Sequence, residues 1–599
     1  MAETSTYHEE EVLGKAYDSR LMRRLLTYLA PYKARVAWSV LLLVAATGLQ
    51  LAGPVLMQIA IDKYIAVGDN AGLGRLALLY LGVIVVAFFV GYLQFYLMQV
   101  IGQGVMYDIR MQAFRHLQRL HLAYFDKNPV GRLVTRVTND INVLNELFSA
   151  GIISIIGDLL TLVGIVIAML YYSWELTLIA FTVLPLMVLA TAIFRRFVRS
   201  IYREVRLRLA RLNAFLQEHL TGMAVVQLFS QEKRIFLRFD RINESLRKQH
   251  FRSIYCYATF FPVVEIIETA AVVLLVYYGG LRIELGFLSF GALVAFIQLV
   301  DRFFRPLRDL SDQYDTLQSS MASSERVFRM LDEPPLIMAP PRPKIIPEVK
   351  GRIIFDRVGF AYNEPDYVLH EVSFAVEPGE KVAIVGATGS GKTTLVSLLL
   401  RFYEAQKGAI TIDGVPIKEM DPIYLRSHMA LVLQDVFIFS GNFIRNIDLF
   451  NHQIPFDRSV RAARQVGIAG YIERLPGQFL TEVYERGATL STGQKQLLSF
   501  ARALAYDPRI LILDEATSSV DTETEVQIQA ALEELMRGRT SIIIAHRLST
   551  IEKANRILVM HKGRLRESGT HRELLARKGI YYTLYQTQFA FANGARING

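Results

Sequence analysis

Two stretches of this sequence combine residue types suited to phosphate chemistry. "GATGSGKTT", Gly386 to Thr394, follows the apolar strand "KVAIV" and opens an apolar helix. Its spacing, G-x-x-x-x-G-K-T, is typical of a loop whose backbone N–H groups enclose phosphate oxygens. In such a loop Lys392 supplies charge to the β- and γ-phosphates, Thr393 offers a hydroxyl to Mg²⁺, and the helix N-terminus adds its positive end. The predicted nucleotide-binding residues here are Gly386, Ala387, Thr388, Gly389, Ser390, Gly391, Lys392, Thr393 and Thr394.

The second stretch, "ILILDE", is an apolar strand that ends in the adjacent carboxylates Asp514 and Glu515. Two neighbouring acids at a strand tip need either solvent or a cation. Because a phosphate loop is present, Mg-nucleotide is the better explanation. We predict that Asp514 holds Mg²⁺, directly or through water, and that Glu515 orients or deprotonates the attacking water.

Composition indicates a membrane part fused to a soluble part. The chain has 599 residues, 52% of them hydrophobic, and its long apolar runs lie before about residue 310. The net charge of +10 is concentrated between the apolar runs, which favours a membrane surface over nucleic acid as the partner. The single cysteine, Cys256, excludes an intrachain disulfide and any multi-cysteine metal site.

The first half of the chain carries six stretches of the length that a membrane span requires. The last two are the weaker ones, because Glu265 and Glu268 interrupt the apolar run. Arginine and lysine cluster between the second and third and between the fourth and fifth spans, so the positive-inside rule places both termini in the cytoplasm. The spans lie near 35–59, 77–101, 151–172, 176–198, 256–280 and 286–305.

The long basic connections show helical apolar spacing and are predicted to continue the membrane helices into the cytoplasm. Short turn-rich elbows break them at "DKNPVGR", 126–132, and "HLTGM", 219–223. From residue 352 short β-branched strands alternate with helices, which indicates an α/β domain. The predicted domains are a polar tail at 1–20, a membrane domain at 21–330, an extended Pro-rich linker at 331–351 and the α/β domain at 352–599.

Further motifs follow the phosphate loop in a recognisable order, and with them the chain resembles an ATP-binding cassette (ABC) exporter half-transporter. "LSTGQKQ", 490–496, is similar to the family signature LSGGQ, and "TEVYERG", 481–487, to the exporter X-loop. The resemblance covers nearly the whole chain. It implies a type I exporter membrane domain (type IV ABC fold) of six helices, followed by a P-loop nucleotide-binding domain. The other matching positions are Tyr362 in "VGFAY", Gln434 of the Q-loop, Ser518 to Asp521 of the D-loop and His546 of the switch.

The resemblance also implies roles for these residues. Tyr362 stacks on adenine. Gln434 reaches Mg²⁺ or the water, and His546 contacts the γ-phosphate, so both join Glu515 as predicted catalytic residues. ATP and Mg²⁺ are the implied cofactors, with Thr393, Gln434 and Asp514 around the metal. The elbows near 126–132 and 219–223 resemble the family's coupling helices, which implies that they dock on the cytoplasmic domains near the Q-loop and X-loop.

In this family two cassettes pack head to tail, so the signature of one chain closes on the nucleotide of the other. Ser491, Gly493 and Gln494 are therefore predicted to contact the partner's ATP. Thr492 stands where the family usually has glycine, and it adds a β-branched side chain and restricts the backbone. An altered signature beside an intact Glu515 favours a heterodimer. A homodimer that tolerates Thr492 is the alternative, and Tyr484, at a usual X-loop glycine, weakly favours asymmetry.

The resemblance implies ATP-driven export of an amphiphile across the cell inner membrane, with membrane lipids as further partners. Asp158, Glu265 and Glu268 lie within apolar spans and either favour cationic amphiphiles or pair with neighbouring helices. An ATP-gated channel or regulator of the same fold is the alternative function. The spans argue against a soluble cassette that acts on nucleic acid.

Overall fold

A computed structural model describes residues 18–148, 152–514, 522–545 and 548–587. Internal contacts divide the chain into two units. The first unit comprises Met1–His116 and Gly131–Asp332, and the second comprises Leu117–Val130 and Glu333–Gly599. Residues 117–130, which include the start of the first predicted elbow, thus group with the α/β domain and not with the membrane helices around them.

Long helices make up the described part of the chain before residue 332. Ser173 caps α8 by accepting a hydrogen bond from the Leu176 N–H at 3.3 Å, and Ser289 caps α12 in the same way. Short π-helical turns follow α2 at Ala60–Ile65 and α5 at Arg136–Asp140. The α-helices are α1 Ser19–Thr27, α2 Lys33–Ile59, α3 Asn70–Leu117, α4 Leu122–Lys127, α5 Val130–Thr135, α6 Ile141–Glu146, α7 Ile152–Tyr172, α8 Trp174–Phe181, α9 Leu184–Thr221, α10 Met223–Leu228, α11 Glu232–Glu284 and α12 Phe290–Leu331.

Five helical segments among the described residues are long and apolar enough to cross a membrane, judged by length and composition. The sixth predicted span, 286–305, falls mostly in α12, where the charged residues Asp301, Arg302 and Arg305 shorten the apolar stretch at its end. The fourth span, predicted at 176–198, is interrupted between α8 and α9, because Pro185 has no N–H to continue the helix. The five segments are Ala30–Ile65, Asn70–Leu117, Ile155–Tyr172, Trp174–Thr221 and Glu232–Glu284.

The predicted helical extensions are confirmed. Helix α3 has 48 residues and α11 has 53, so each measures roughly 70–80 Å at about 1.5 Å per residue. That length is more than twice the roughly 30 Å of a hydrocarbon core. Both helices therefore continue far beyond their apolar stretches.

A buried charge network joins the segment after α5 to the far end of α12. Asp140 is 4% exposed, and its carboxylate accepts hydrogen bonds from Arg326 Nε at 3.0 Å and Ser323 Oγ at 3.1 Å. Deeper in the unit, apolar side chains of α7, α8, α11 and α12 form one core that includes Phe296 and Phe304. Apolar packing among α7, α8, α11 and α12 stabilises one part of the first unit, and the contacts of Asp140 stabilise another.

Two sheets form the framework of the second unit within its described residues. The first is antiparallel, with strand order β2-β1-β4-β5, and the second runs β12-β11-β3-β10-β9-β6. Only the β11–β12 pairing of the second sheet is antiparallel. The strands are β1 Ile353–Asn363, β2 Asp366–Val376, β3 Lys381–Gly386, β4 Lys407–Ile412, β5 Val415–Pro416, β6 Met429–Val432, β7 Gly441–Asn442, β8 Glu482–Val483, β9 Ile510–Asp514, β10 Thr540–Ile544, β11 Arg556–His561 and β12 Arg564–Gly569.

The parallel strands are covered on both faces, as their continuous apolar sequences predict. Successive residues of β9 alternate between two cores: Ile510 and Ile512 pack in one, and Leu511 and Leu513 pack in the other. The helices of this unit are α13 Lys392–Leu399, α14 Pro422–Ser427, α15 Phe443–Asp448, α16 Phe456–Gln465, α17 Ala469–Ile472, α18 Thr492–Tyr506, α19 Thr522–Met536, α20 Leu548–Glu552, α21 His571–Ala576 and α22 Ile580–Tyr585.

The Pro-rich linker is more firmly attached than its composition indicates. Ile346 and Val349 are buried in the core of the second unit. The carbonyl of Ile346 accepts a hydrogen bond from Tyr424 Oη at 2.7 Å, and the Met338 carbonyl accepts one from Arg401 at 3.2 Å. The predicted spacer is therefore an extended strap on the surface of the second unit.

Candidate nucleotide site

Four predicted site segments follow four neighbouring parallel strands, β3, β10, β9 and β6. The phosphate loop begins at the end of β3, Asp514 ends β9, and Gln434 comes two residues after β6. Carboxyl ends of parallel strands meet at one edge of a sheet, where ligands of open α/β sheets bind. In the sequence His546 comes two residues after β10 ends at Ile544.

Some predicted positions lie outside the described residues. They are the catalytic Glu515, the switch His546 and the whole D-loop from Ser518 to Asp521. Their roles stay predictions from the sequence.

Glycine is required at two points of the phosphate loop. Gly389 has φ +79° and Gly391 has φ +97°, both in the left-handed region. A side chain at Gly391 would also place its Cβ 2.6 Å from Leu369 Cδ2. Gly391 is the N-cap of α13, so the loop leads directly into the helix N-terminus with Lys392 as its first residue.

The side chain of Lys392 turns back and contacts the phosphate loop that precedes it. Its ammonium donates hydrogen bonds to the carbonyls of Gly386 at 2.8 Å and Ala387 at 3.1 Å. Burial lowers the pKa of Lys392, and the negative charge of Asp514 partly offsets that shift. The lysine of the loop and the carboxylate of β9 are thus close enough to interact.

The loop suits a polyphosphate with its metal. Ser390 is 3% exposed, and its Oγ has no hydrogen-bond partner among the described residues, so a buried donor is available to a ligand. Thr393, the predicted Mg²⁺ ligand, is exposed at the start of α13. A hydroxyl and a carboxylate are hard oxygen donors, the kind that Mg²⁺ prefers. The residues present therefore fit Mg-nucleotide.

Tyr362, the predicted adenine platform, belongs to an aromatic cluster beside the loop. Its ring centroid lies 4.9 Å from that of Phe360 and 5.1 Å from that of Tyr403, both nearly perpendicular. Its hydroxyl lies 3.2 Å from Thr394 Oγ1 in α13. The side chain is 42% exposed, which leaves ring surface for a base to stack on.

The start of the first predicted elbow contacts the α/β domain, as predicted, but sequence reasoning missed the residue pair that connects it to this cluster. The hydroxyl of Tyr403 donates a hydrogen bond to the carboxylate of Asp126, one residue beyond Phe125 in α4. Burial and this carboxylate both raise the pKa of Tyr403. Tyr403 follows α13 with no motif of its own, and Asp126 was noted only as part of an elbow. No local sequence signal pairs residues 277 positions apart.

The signature segment forms a capping box at the start of α18. Ser491 is the N-cap, and its Oγ accepts a hydrogen bond from the Gln494 N–H at 3.2 Å. The Gln494 side chain in turn accepts from the Ser491 N–H at 3.0 Å. Gly493 is buried behind them. Ser491 and Gln494 therefore lie at a helix N-terminus, a position that favours an anion.

Thr492 is the first residue of α18, and its side chain is exposed. A helical backbone at this position is open to threonine and does not require glycine. The threonine instead changes the surface of the helix N-terminus by adding a methyl and a hydroxyl group. Steric interference of the Thr492 side chain with the partner's ATP stays a prediction.

The Q-loop and X-loop regions are joined by a short antiparallel pair. Strand β7, Gly441–Asn442, pairs with β8, Glu482–Val483. Gln434 and Tyr484 are both exposed, with Tyr484 at 67%. This pairing fixes the X-loop to the segment that leads away from Gln434.

Two of the predicted intramembrane acids lie on α11, outside the groove of the first unit. Glu265 is exposed on α11 and Glu268 is half-buried on the same helix. Neither lines the large groove of the first unit, which is described below. The predicted preference for cationic amphiphiles gains no support from these positions.

The phosphate loop and Asp514 at one edge of the sheet suit the hydrolysis of a nucleoside triphosphate, and helices before residue 332 are long and apolar enough to cross a membrane. Together they define a membrane protein powered by a nucleoside triphosphatase. The family model of the ABC transporter transmembrane region matches residues 36–307, and the family model of the ABC transporter matches residues 369–518. The chain belongs to the ABC transporter family, and it is an exporter that couples ATP hydrolysis to transport.

Curated relatives match along almost the entire chain. An uncharacterized ABC transporter ATP-binding protein of Bacillus subtilis, YknV, is 40% identical over 98% of this chain and 97% of its own length. A probable multidrug resistance ABC transporter protein of the same organism, YheH, is 38% identical over 86% of this chain and 77% of its own. An ATP-dependent lipid A-core flippase of Syntrophus aciditrophicus is 35% identical over 95% and 94%.

Proposed function

We propose that this chain is the catalytic half of a dimeric exporter that moves amphiphiles out of the cytoplasm or between membrane leaflets. The carrying observation is that the phosphate loop, which leads from β3 into Lys392 of α13, and Asp514, which ends β9, follow parallel strands of one sheet and so meet at its carboxyl edge. The names of the relatives support the substrate class, because they include multidrug resistance and lipid A-core flipping.

Each site residue has a role in this proposal. The N–H groups of the phosphate loop and Lys392 bind the β- and γ-phosphates, and Tyr362 holds the adenine. Thr393, Gln434 and Asp514 would hold Mg²⁺, which neutralises phosphate charge when bound. Glu515 orients and deprotonates the attacking water, and His546 contacts the γ-phosphate.

Transport follows from closure of two cassettes over ATP. Ser491, Gly493 and Gln494 at the start of α18 contact the γ-phosphate held by the other cassette. Closure swings the membrane spans outward through the coupling helices near 126–132 and 219–223, and hydrolysis through Glu515 resets them. Both termini and the cassette lie on the cytoplasmic side of the inner membrane, as the basic connections require.

The partner is proposed to be a different half-transporter. Thr492 alters the signature that this chain offers, whereas Lys392, Gln434, Glu515 and His546 are all present. An exposed threonine at the N-terminus of α18 weakens the site completed by this helix. The partner is therefore expected to carry an intact LSGGQ and to lack the catalytic glutamate.

Two measurements test these proposals. Reconstituted transporter should lose ATP hydrolysis in Glu515→Gln while still binding ATP, and normal turnover in that variant would refute the catalytic assignment. Purified alone, the chain should show weak ATPase activity. A stable homodimer with two turning-over sites and amphiphile-stimulated hydrolysis would contradict the heterodimer.

A further inference from the structure

A groove with a cavity volume of about 760 Å³ runs along one face of α9 in the first unit. We propose that it binds the transported amphiphile, and that this amphiphile is anionic. The inference rests on the proposed export function and narrows its substrate class. The volume lies within the roughly 300–1,000 Å³ typical of small-molecule sites.

The groove is apolar at one end. Leu184, Met187 and Val188 line it from α9, and Phe303 lines it from α12. Met187 and Phe303 also belong to the buried apolar core of the first unit, at 6% and 7% exposure, so this wall is fixed by packing. A hydrocarbon tail gains free energy by lying against such a wall.

The other end of the groove is cationic. Arg195, Arg196 and Arg199 line it, two to four helical turns beyond the apolar end. The guanidinium group binds carboxylate and phosphate through paired hydrogen bonds, and it is always charged. None of the lining residues, all within the described part of the chain, is acidic.

The dimensions fit one lipid-like molecule. From Leu184 to Arg199 the α9 axis rises roughly 22 Å at about 1.5 Å per residue. A lipid tail that reaches the middle of a hydrocarbon core of roughly 30 Å is about 15 Å long, which leaves room for a headgroup at the arginines. Apolar and cationic surfaces therefore follow each other in the order that an anionic amphiphile presents.

Basic residues also collect at the cytoplasmic boundary of membrane helices in general. A resident anionic lipid would use the same contacts as a transported molecule. The two differ in the transport cycle, because a substrate stimulates ATP hydrolysis and crosses the membrane, whereas a resident lipid does neither. The proposed occupant of the groove is the transported substrate.

The test uses the full-length transporter, with any subunit that copurifies, in phosphatidylcholine proteoliposomes. ATP hydrolysis is titrated with monooleyl phosphate, oleyl alcohol and oleylamine, which share a tail and differ in charge. The half-maximal concentration for the phosphate should be at least tenfold lower than for the other two, as expected for charge-assisted hydrogen bonds.

Paired variants locate the binding groups. Arg196→Gln with Arg199→Gln should raise the half-maximal concentration of monooleyl phosphate at least tenfold, and the corresponding lysine pair should largely restore it. Arg203→Gln with Arg206→Gln is the matched control, since it removes two charges from the same helix outside the groove. The control pair should change the half-maximal concentration of monooleyl phosphate by less than about twofold relative to wild type.

The outcomes separate the two proposals. Equal stimulation by all three amphiphiles would leave the export function standing and overturn the anionic site. Equal effects of the groove pair and the control pair would overturn it as well. Loss of monooleyl phosphate binding without any change in its ATP-driven transport would show a resident lipid and overturn the substrate assignment. ATP hydrolysis that no amphiphile stimulates would instead contradict the proposed function.

Discussion

Replacing Tyr403 with phenylalanine deletes the hydroxyl group that connects Asp126 to the aromatic cluster beside the phosphate loop. A hydrogen bond to a charged group contributes about 1.5–3 kcal/mol. Asp126 is exposed, so solvent screening reduces the figure to about 1 kcal/mol. Because the phenyl ring keeps its packing against Tyr362, we expect the KM for ATP to rise by up to about fivefold, with little change in the fold.

The assay is ATP hydrolysis by reconstituted transporter, with Asp126→Asn and the double variant measured in parallel. If the hydrogen bond acts as one contact, the double variant should be no worse than either single variant. Tyr424→Phe is the matched control, since it removes a hydroxyl that bonds to the Ile346 carbonyl in the same unit. Additive effects of the two changes, or an equal rise in Tyr424→Phe, would refute the reasoning.

Two further changes test other parts of the structure. Tyr362→Ala should raise the KM for ATP roughly fivefold to a hundredfold through lost base stacking, and Tyr362→Phe should stay within about threefold; equal effects would show that the ring does not contact adenine. Asp140→Ala leaves Arg326 and Ser323 without their shared carboxylate and should destabilise the first unit by about 2–4 kcal/mol in thermal unfolding, whereas Asp240→Ala, at an exposed position of α11, should cost under about 1 kcal/mol. Unfolding of Asp140→Ala at the wild-type temperature would show that the network contributes nothing.

The parts of the fold predicted from sequence depend on local patterns. Buried strands such as "KVAIVG" and "ILILD" show in their continuous apolar residues, and the long helices show in their periodicity. The phosphate loop has a spacing that constrains its own backbone, which Gly389 and Gly391 confirm through their positive φ. In each case the signal and the structure occupy the same few residues.

What the sequence did not predict depends on tertiary contacts. The Asp126–Tyr403 pair joins distant segments, and neither residue departs from ordinary surface composition. The Pro-rich stretch predicted a spacer, because composition does not show that Ile346 and Val349 have an apolar surface to pack on. The groove arginines were counted for orientation alone, since only the packing of α9 beside Phe303 places an apolar wall next to them.

The proposed function requires that ATP hydrolysis at this site drives an amphiphile across the membrane. Its most direct test is ATP-dependent accumulation of monooleyl phosphate in inside-out vesicles that contain the wild-type transporter or the Glu515→Gln variant. The wild-type transporter should accumulate monooleyl phosphate above its equilibrium concentration only when ATP is present, and the Glu515→Gln variant should accumulate none. Movement that only dissipates a gradient, or that continues in Glu515→Gln, would contradict it and indicate an ATP-gated channel.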